Sequence, residues 1–232
     1  MKKHKGQSEF SRFVYQLSKN KMAMIGLVIL LIEVLIAIFA TQIAPYGYQE
    51  IDPTALRQTP SAKHWFGTDE IGRDIFSRVV VGTRYSLSMG IIATAISSVI
   101  GIVIGAVAGF AGGWTDNIIM RALDVIQSLP GMLLTIVMSA VLGSGYFNTI
   151  LALSVGAIPG QARMLRANML KQRKAEYIKT AYSINCSPAR IIFTHLVPNS
   201  ISANIVGMTM GVAHTIIQAA SLSFIGLGVQ PP

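Results

Sequence analysis

Residues able to do chemistry are sparse in this sequence and stand apart from one another. The four histidines lack the short spacing of a metal site; they are His4, His64, His195 and His214. No nucleophile beside a base and no pair of carboxylates can be identified, and no Gly-x-x-x-x-Gly-Lys-Ser/Thr loop is present to hold nucleotide phosphates. The sequence therefore predicts no catalysis, no metal and no cofactor in this chain, and any ATP must be hydrolysed by another polypeptide.

Two polar residues lie within apolar stretches. Glu33 stands in the middle of the run LLIEVLIAI, and a carboxylate inside a bilayer is a functional candidate because its burial is costly. Protonation or contact with a partner subunit would relieve that cost, so a structural role is favoured over contact with solute. His214 lies near Met208 and Met210 and could meet a soft metal, but apolar packing of the methionines is the favoured explanation.

The composition is that of a membrane protein. Of 232 residues, 52% are hydrophobic and only 12% are charged, whereas soluble domains carry roughly 25% charged residues. The net charge of +9 does not indicate nucleic acid, because the basic residues form two blocks that flank apolar spans. The single cysteine, Cys186, excludes an internal disulfide.

Five stretches are candidates to cross a bilayer, which requires about 20 apolar residues per helix. They are residues 22–44, 86–110, 118–142, 149–163 and 200–226. Pro130 and Pro159, each followed by glycine, are expected to interrupt the third and fourth. A row of glycines four residues apart in the second span, at 101, 105 and 109, favours close helix packing. The predicted fold class is an all-α membrane protein, a bundle of several spanning helices.

The distribution of lysine and arginine predicts the orientation. Residues 1–21 and 161–199 are strongly basic, whereas 45–85 has balanced charges and 143–148 has none. Because cytoplasmic loops are enriched in basic residues, the two basic segments are predicted to be cytoplasmic. Residues 22–44 then form the first transmembrane helix. Residues 45–85 form an extracytoplasmic loop and a helix leading into the next span, capped by Thr68 and Asp69 and ending near Val81.

The segment 175–199, AEYIKTAYSINCSPARIIFTHLVPN, is a charged interruption between apolar spans. Residues 174–182 favour helix, Asn185 tolerates a left-handed turn, and Pro188 can open a second helix. Ile191, Ile192 and Leu196 would line one face of that helix, and Pro198 would end it before the fifth span. The prediction is a helix–turn–helix on the cytoplasmic face; a surface that merely orients the chain in the membrane is the simpler alternative.

This segment resembles the EAA loop of permease subunits of bacterial ABC importers, in the branch that moves peptides, dipeptides and nickel. It supplies Glu176, the pair 180–181 and the ending LVPN, with Asn185 at the usual glycine position and Thr180 at a usual small position. Further motifs of that branch follow in order: GTDEIGRD at 67–74, GGW at 112–114, PGQAR at 159–163 and ASLSFIGLGVQPP at 220–232. The order and spacing of these motifs carry the resemblance.

The resemblance implies the type I ABC importer permease fold over 86–232 and a loop, 171–199, whose coupling helices dock on an ATPase. The residues expected to take part are Glu176, Lys179, Thr180, Ala181, Asn185, Pro188, His195 and Pro198. Implied partners are a homologous second permease, two ATPase subunits, an extracytoplasmic solute-binding protein and the lipid bilayer, with no nucleic acid. The location is the plasma membrane of a bacterium or archaeon. Because the family has six spans and five are predicted here, the permease domain is expected to be incomplete at its C-terminus.

Three alternatives stay open from the residues alone. One is a permease of the same family for nickel or another small solute. A second is an ion-coupled secondary transporter, for which Glu33 would be the only clear coupling charge within the membrane. A third is a membrane scaffold or remnant that transports nothing, which the missing sixth span would favour.

Overall fold

A computed structural model describes residues 15–229. The chain divides into two units, Met1–Tyr85 and Ser86–Pro232. Within the described residues all regular secondary structure is helical, apart from one isolated bridge between Thr68 and Asp74. This agrees with the predicted all-α class.

The first unit contains a helical turn at 15–19 and then α1, Lys21–Ile38, and α2, Ala40–Ile43. The side chain of Asn20 caps α1 by accepting a hydrogen bond from the Ala23 amide at 3.2 Å. Among the described side chains of α1, none is buried. Most of the surface of this apolar helix is therefore available to lipid or to another chain, although Ile36 packs against Ala40 of α2 and the start of the next long helix.

Helix α3, Ile75–Ala111, begins in the first unit and continues through the second without interruption. Its first turns bury Val80 and Val81 against Ala40 of α2. The prediction that Thr68 and Asp69 cap this helix is wrong, because Asp74 does so: its Oδ2 accepts from the Ser77 amide at 2.7 Å. The prediction of an end near Val81 is also wrong, since the chain around Gly82 remains helical.

Between α2 and α3 the chain is folded around the GTDEIGRD motif at residues 67–74. Gly67 and Gly72 have φ angles of 74° and 86°, and a Cβ at either would collide with a backbone carbonyl oxygen, that of Gln58 or Asp52 respectively. Only glycine suits such positions. The motif therefore serves first to fold this loop.

The second unit continues with α4, Gly113–Gln127, and α5, Gly131–Leu142, which are bent by 81° relative to each other. The predicted interruption at Pro130 is confirmed, because a proline cannot continue the hydrogen-bond ladder of the preceding helix. At about 1.5 Å per residue, α5 alone is too short to cross a bilayer. The predicted third span is thus a broken span or a re-entrant pair.

The remaining elements are α6, Tyr146–Gln172, α7, Glu176–Ser183, and α8, Pro188–Phe224. The predicted interruption of the fourth span is wrong: α6 passes through Pro159, which is fully buried. Membrane helices tolerate a proline where neighbouring groups compensate the lost hydrogen bond.

Among residues 15–229, three helices are long and apolar enough to cross a membrane: α1, α3 and α8. The bent α4–α5 pair would make a fourth. Helix α6 has the length but a more polar composition, with Arg163 and Arg166 in its second half. Five spans were predicted, and α6 is the one that composition does not support.

The glycine row of α3 packs against α6, as predicted. A Cβ at Gly101 would lie 2.6 Å from the Gln161 Cβ, and one at Gly105 would overlap the Ala162 carbonyl oxygen. A Cβ at Gly109 would lie 3.0 Å from the Met169 Cβ. Helix α3 therefore approaches α6 backbone to backbone, which only small residues permit.

Candidate functional site

Helix α7 is the first half of the charged segment 171–199, and it has two distinct faces. Ile178 and Ala181 are buried, while Glu176, Lys179 and Thr180 are exposed. Glu176 is in the first turn, where a carboxylate is favoured by the helix dipole. Ala181 differs from the three exposed residues because it packs inward against the hydrophobic cluster of the second unit.

The turn after α7 is a Schellman motif. Asn185 has a φ of 57°, its amide donates to the Tyr182 carbonyl at 3.0 Å, and the Cys186 amide donates to the Ala181 carbonyl at 3.0 Å. This pattern closes a helix around one left-handed residue, usually glycine and sometimes asparagine. The predicted turn at Asn185 is confirmed, and the departure from glycine costs little because asparagine tolerates this conformation.

The second half of the segment begins as predicted and ends differently. Ser187 caps the new helix by accepting from the Arg190 amide at 3.4 Å, and Pro188 takes the first position. Pro198 does not end the helix. Residues Ile191–Leu196 form a π-helical segment that leads directly into Val197–Phe224.

The π segment accounts for the continuity of α8 through Pro198. A proline within an α-helix removes one amide donor and its ring meets the carbonyl four residues earlier, and the wider π turn gives that ring more room. The Asn199 side chain adds a hydrogen bond in this stretch by donating to the His195 carbonyl at 2.6 Å. The predicted separate second helix is therefore the first part of α8.

The segment is seated on one hydrophobic cluster of the second unit. Ile178 and Ala181 of α7, together with Ile191 and Leu196 of α8, pack against Leu165 and neighbouring residues of α6 and α3; the buried neighbours are Ala106 and Met169. Burial of a large apolar side chain stabilises by roughly 1.5–3 kcal/mol. The exposed face of α7 is therefore fixed to the rest of the second unit by a well-packed hydrophobic cluster.

Ion pairs join α4 to α6 beside this cluster. Arg166 donates to both carboxylate oxygens of Asp116, from Nε and Nη2, each at 2.5 Å. Arg163 donates to Asp124 Oδ1 at 2.6 Å and also contacts Gln127 Oε1. A weaker pair joins Arg121 to Asp124 within α4, with the two side chains 3.7 Å apart. The stronger pairs cross 39 to 50 positions of sequence, where spacing carries no signal.

The loop between α2 and α3 in the first unit contains a second polar cluster. Buried His64 Nδ1 lies 2.9 Å from Asp74 Oδ1, and Ser77 donates from its amide and hydroxyl to Asp74 Oδ2, both at 2.7 Å. Burial raises the pKa of Asp74, but the hydrogen bonds from Ser77 and His64 outweigh it and the pKa is lowered overall. Asp74 is thus an ionised structural cap.

Asp69 performs a similar task in the same loop. Its Oδ1 accepts from the amides of Ile71 and Arg73, both at 3.0 Å, and its Oδ2 accepts from Arg73 Nε at 2.7 Å. Burial raises the pKa of Asp69, whereas these hydrogen bonds lower it below its ordinary value. Together with Asp74 it makes the GTDEIGRD motif a self-supporting turn.

Glu33 lies apart from both clusters. It is exposed on α1, and no hydrogen bond or ion pair reaches it from any residue between 15 and 229. In the same range no three His, Cys, Asp or Glu residues come together as metal ligands. The structure thus brings no partner to Glu33.

Comparison with known proteins identifies the family. Residues 101–232 match the model of the binding-protein-dependent transport system inner membrane component, which is more than half of the chain. The chain belongs to this family of ABC importer permeases. Residues 8–60 also match the N-terminal transmembrane domain of oligopeptide transport permease C.

Individual relatives place the permease in the oligopeptide and glutathione branch. It is 43% identical over 227 residues to the glutathione transport system permease protein GsiD of Escherichia coli O6:K15:H31 (strain 536 / UPEC). The same identity is found with GsiD of Shigella boydii serotype 4 (strain Sb227) and of Shigella sonnei (strain Ss046). Each alignment covers 97% of this chain and 75% of the relative.

The predicted family, fold class and transport role are therefore confirmed. The permease is an inner-membrane, multi-pass component of a binding-protein-dependent ABC importer, so it works with an ATPase and a solute-binding protein. It is the transport subunit and not the catalytic one.

Proposed function

We propose that the chain forms, with a homologous second permease, the translocation path for peptides or a similar small solute, driven by two ATPase subunits. The observation that carries this proposal is the segment 171–199: an exposed polar face of α7 fixed to a buried base that reaches α3, α6 and α8. Such a base can pass a rigid-body movement from a docked subunit to the membrane helices. The extracytoplasmic binding protein would deliver the solute to the opposite side.

The structure suggests separate tasks for the expected coupling residues. Glu176, Lys179 and Thr180 are exposed and form the contact surface, whereas Ala181 packs beneath it. Asn185 and Pro188 set the turn between α7 and α8. The two remaining coupling residues lie along the first turns of α8: His195 has its ring 6.5 Å from that of Tyr177, and Pro198 accompanies the π segment.

The solute is proposed from the relatives. The GsiD proteins are named for glutathione transport, and the N-terminal match is to an oligopeptide permease. Glutathione is itself a tripeptide, so both names indicate a small solute rich in amide and carboxylate groups. Short peptides, including glutathione, are accordingly the proposed cargo.

The orientation is also a proposal. The basic segments 1–21 and 161–199 would face the cytoplasm by the positive-inside rule. This places α7 on the side where ATP is available and the loop 45–74 on the side of the binding protein. Glu33, on the exposed face of α1, would contact lipid headgroups, a partner chain or a proton rather than the solute.

The test is a gentle detergent purification of the tagged chain from its own cells, followed by mass spectrometry. Wild type should bring along ATPase subunits, and Glu176→Lys should lose most of them because a reversed charge then occupies the docking face. Glu50→Lys makes the same charge change at an exposed site in the extracytoplasmic loop and should leave ATPase recovery intact. Equal recovery with all three chains would overturn the assignment of α7.

A further inference from the structure

A cleft lies between α3, α5, α6 and α8 of the second unit, with a volume of about 310 Å³. Its walls contain small residues, including Gly131, Gly156 and Gly211, and a set of polar side chains: Thr94, Ser97, Gln161, His214, Thr215 and Gln218. The volume is at the lower end of the range for small-molecule sites, about 300–1,000 Å³. No aspartate, glutamate, lysine or arginine lines it.

Gln161 is held in one orientation by its neighbour. Asn204 is buried, and its Nδ2 donates to the Gln161 backbone carbonyl at 3.1 Å and to Oε1 at 3.3 Å. The Gln161 amide therefore has its oxygen engaged and its Nε2 turned toward α8, where a Cβ at Gly211 would lie 4.0 Å away. The absence of a side chain at Gly211 leaves that donor accessible.

Three polar groups on the cleft wall lack partners in the part of the chain that the structure describes. These are Gln161 Nε2 and the side chains of His214 and Gln218, none of which takes part in a hydrogen bond between residues 15 and 229. His214 is exposed, and Gln161 and Gln218 are half-buried, so all three can be reached from the cleft. Their convergence on one cleft therefore offers several hydrogen bonds to an occupant.

We propose that this cleft is a contact site for the solute, and that His214, Gln218 and Gln161 bind peptide amide and carboxyl groups by hydrogen bonds. This inference rests on the proposed function and names the solute-contacting residues within it. An uncharged lining suits a zwitterionic peptide, because it offers hydrogen bonds without a fixed charge that would trap the cargo. It does not suit a bare divalent cation, which requires negatively charged or clustered ligands.

The first test is transport by the whole complex. The complex is purified through a tag on this chain from its own cells, reconstituted in vesicles with its binding protein, and supplied with trialanine as the probe. His214→Ala and Gln218→Ala should each lower trialanine delivered per ATP hydrolysed by roughly two- to tenfold, the effect of one lost hydrogen bond. His214→Asn should retain most of the transport, and Ile217→Ala, an exposed neighbour outside the cleft, should match wild type.

If the cleft lies inside the path, the cleft variants should change the rate of trialanine uptake. They should leave the trialanine concentration for half-maximal uptake unaltered, because the binding protein captures the solute first.

The outcomes separate the proposed function from the inference about the cleft. If the ATPase fails to co-purify with wild type, the proposed function is wrong. If the complex is intact and carries trialanine, but both cleft variants match wild type, only the inference about the cleft is overturned. Uptake of Ni²⁺ in place of trialanine would overturn the assigned solute class.

The second test does not depend on transport rates. Because Cys186 is the only cysteine, a Cys186→Ser background allows His214→Cys to be labelled alone with a small neutral maleimide. Binding protein loaded with trialanine, together with ATP, should slow labelling at 214, while labelling of Gln218→Cys should slow in parallel. Labelling that is unaffected by the peptide at both positions would overturn the proposal. Labelling that is slowed only when a second permease assembles would show instead that the cleft is a subunit contact.

Discussion

Asp116 and Asp124 illustrate how burial determines the contribution of an ion pair to stability. The Asp116 side chain is 10% exposed and bonded through both oxygens to Arg166, whereas the Asp124 side chain is 50% exposed. Breaking a mostly buried pair leaves the arginine without compensation, which costs on the order of 2–3 kcal/mol. An exposed pair contributes about 0–1 kcal/mol.

We therefore expect Asp116→Ala to lower the midpoint of thermal unfolding in detergent much more than Asp124→Ala. The two variants remove the same group from the same helix, α4, so the change in net charge is matched. The measurement is the melting of each purified chain followed by circular dichroism. Equal midpoints would show that the Arg166 pair is as solvated as the other.

The loop between α2 and α3 should be sensitive to acid. The folded pKa values of Asp69 and Asp74 are lowered, so both carboxylates stabilise the loop above their unfolded pKa, about 3.9. That stabilisation is lost as pH falls through the lower folded values. We expect the loop to be intact from neutral pH to about pH 4 and to loosen below it.

Trp65 provides the measurement, since its ring centroid lies 4.7 Å from that of Phe76 at the start of α3. In a Trp114→Phe background, which leaves Trp65 as the only tryptophan, its fluorescence should change below pH 4. Asp74→Asn should show the loosened signal already at neutral pH. A wild-type signal that is flat to pH 2 would contradict the role of the two carboxylates.

Side-chain roles were predictable where local sequence determines them. Asn185 and Pro188 act through the backbone conformation of their own turn, and both were placed correctly. The partners of Arg163 and Arg166 were not predictable, because they depend on how α4 folds back beside α6. The same holds for Asp74, whose capping role depends on the turn that Gly67 and Gly72 make possible.

At the scale of helices, the glycine row of α3 predicts a sharp contrast between two substitutions in one helix. A Cβ at Gly105 would overlap the Ala162 carbonyl oxygen, whereas one at Gly82 meets no atom within 4 Å. Overpacking costs about 1–3 kcal/mol, and replacing an unconstrained helical glycine by alanine gains roughly 0.5–1 kcal/mol. Gly105→Ala should thus lower the unfolding midpoint, and Gly82→Ala should leave it equal or higher.

The two prolines of the segment 171–199, Pro188 and Pro198, should also differ in the effect of their replacement by alanine. Pro188 stands at the first position of α8, where no amide is needed, so Pro188→Ala should change little. Pro198→Ala restores an amide within the helix and removes the need for the wide π turn before it. We expect that variant to bind the ATPase normally but to transport less peptide per ATP hydrolysed, because the register of residues 191–197 changes. An unchanged ratio in reconstituted vesicles would contradict this account.

The sequence predicted which stretches form helices better than it predicted where those helices end. Each of the five predicted spans overlaps a helix, because a long apolar stretch is a strong signal, but the third is broken near Pro130 and the fourth lies in the more polar α6. The errors lie at Pro159 and Pro198, where a proline was expected to stop a helix and neighbouring contacts or a π turn allow it to continue. Sequence alone does not show which prolines receive such compensation.

At the scale of the whole molecule, the main proposal is the orientation of the chain in the membrane. The assignment of α7 and of the loop 45–74 to opposite sides depends on it. In a Cys186→Ser background, Ala62→Cys and Lys179→Cys place one exposed thiol in each of the two loops. An impermeant maleimide should label position 62 in intact cells and position 179 only after the membrane is opened. The reverse pattern would refute the cytoplasmic position of α7.

Helix α8 gives the molecule one further property. The same continuous helix begins at the turn beneath α7 and carries His214 and Gln218 on the cleft wall, about 40 Å away at 1.5 Å per residue. A docked ATPase and a bound peptide therefore both act on the same helix, α8. Thermodynamic linkage is reciprocal: if nucleotide-driven docking weakens the hold of the cleft on a peptide by some factor, the peptide weakens that docked state by the same factor. A peptide that dissociates too slowly from the cleft would then slow the ATPase cycle that drives its own transport.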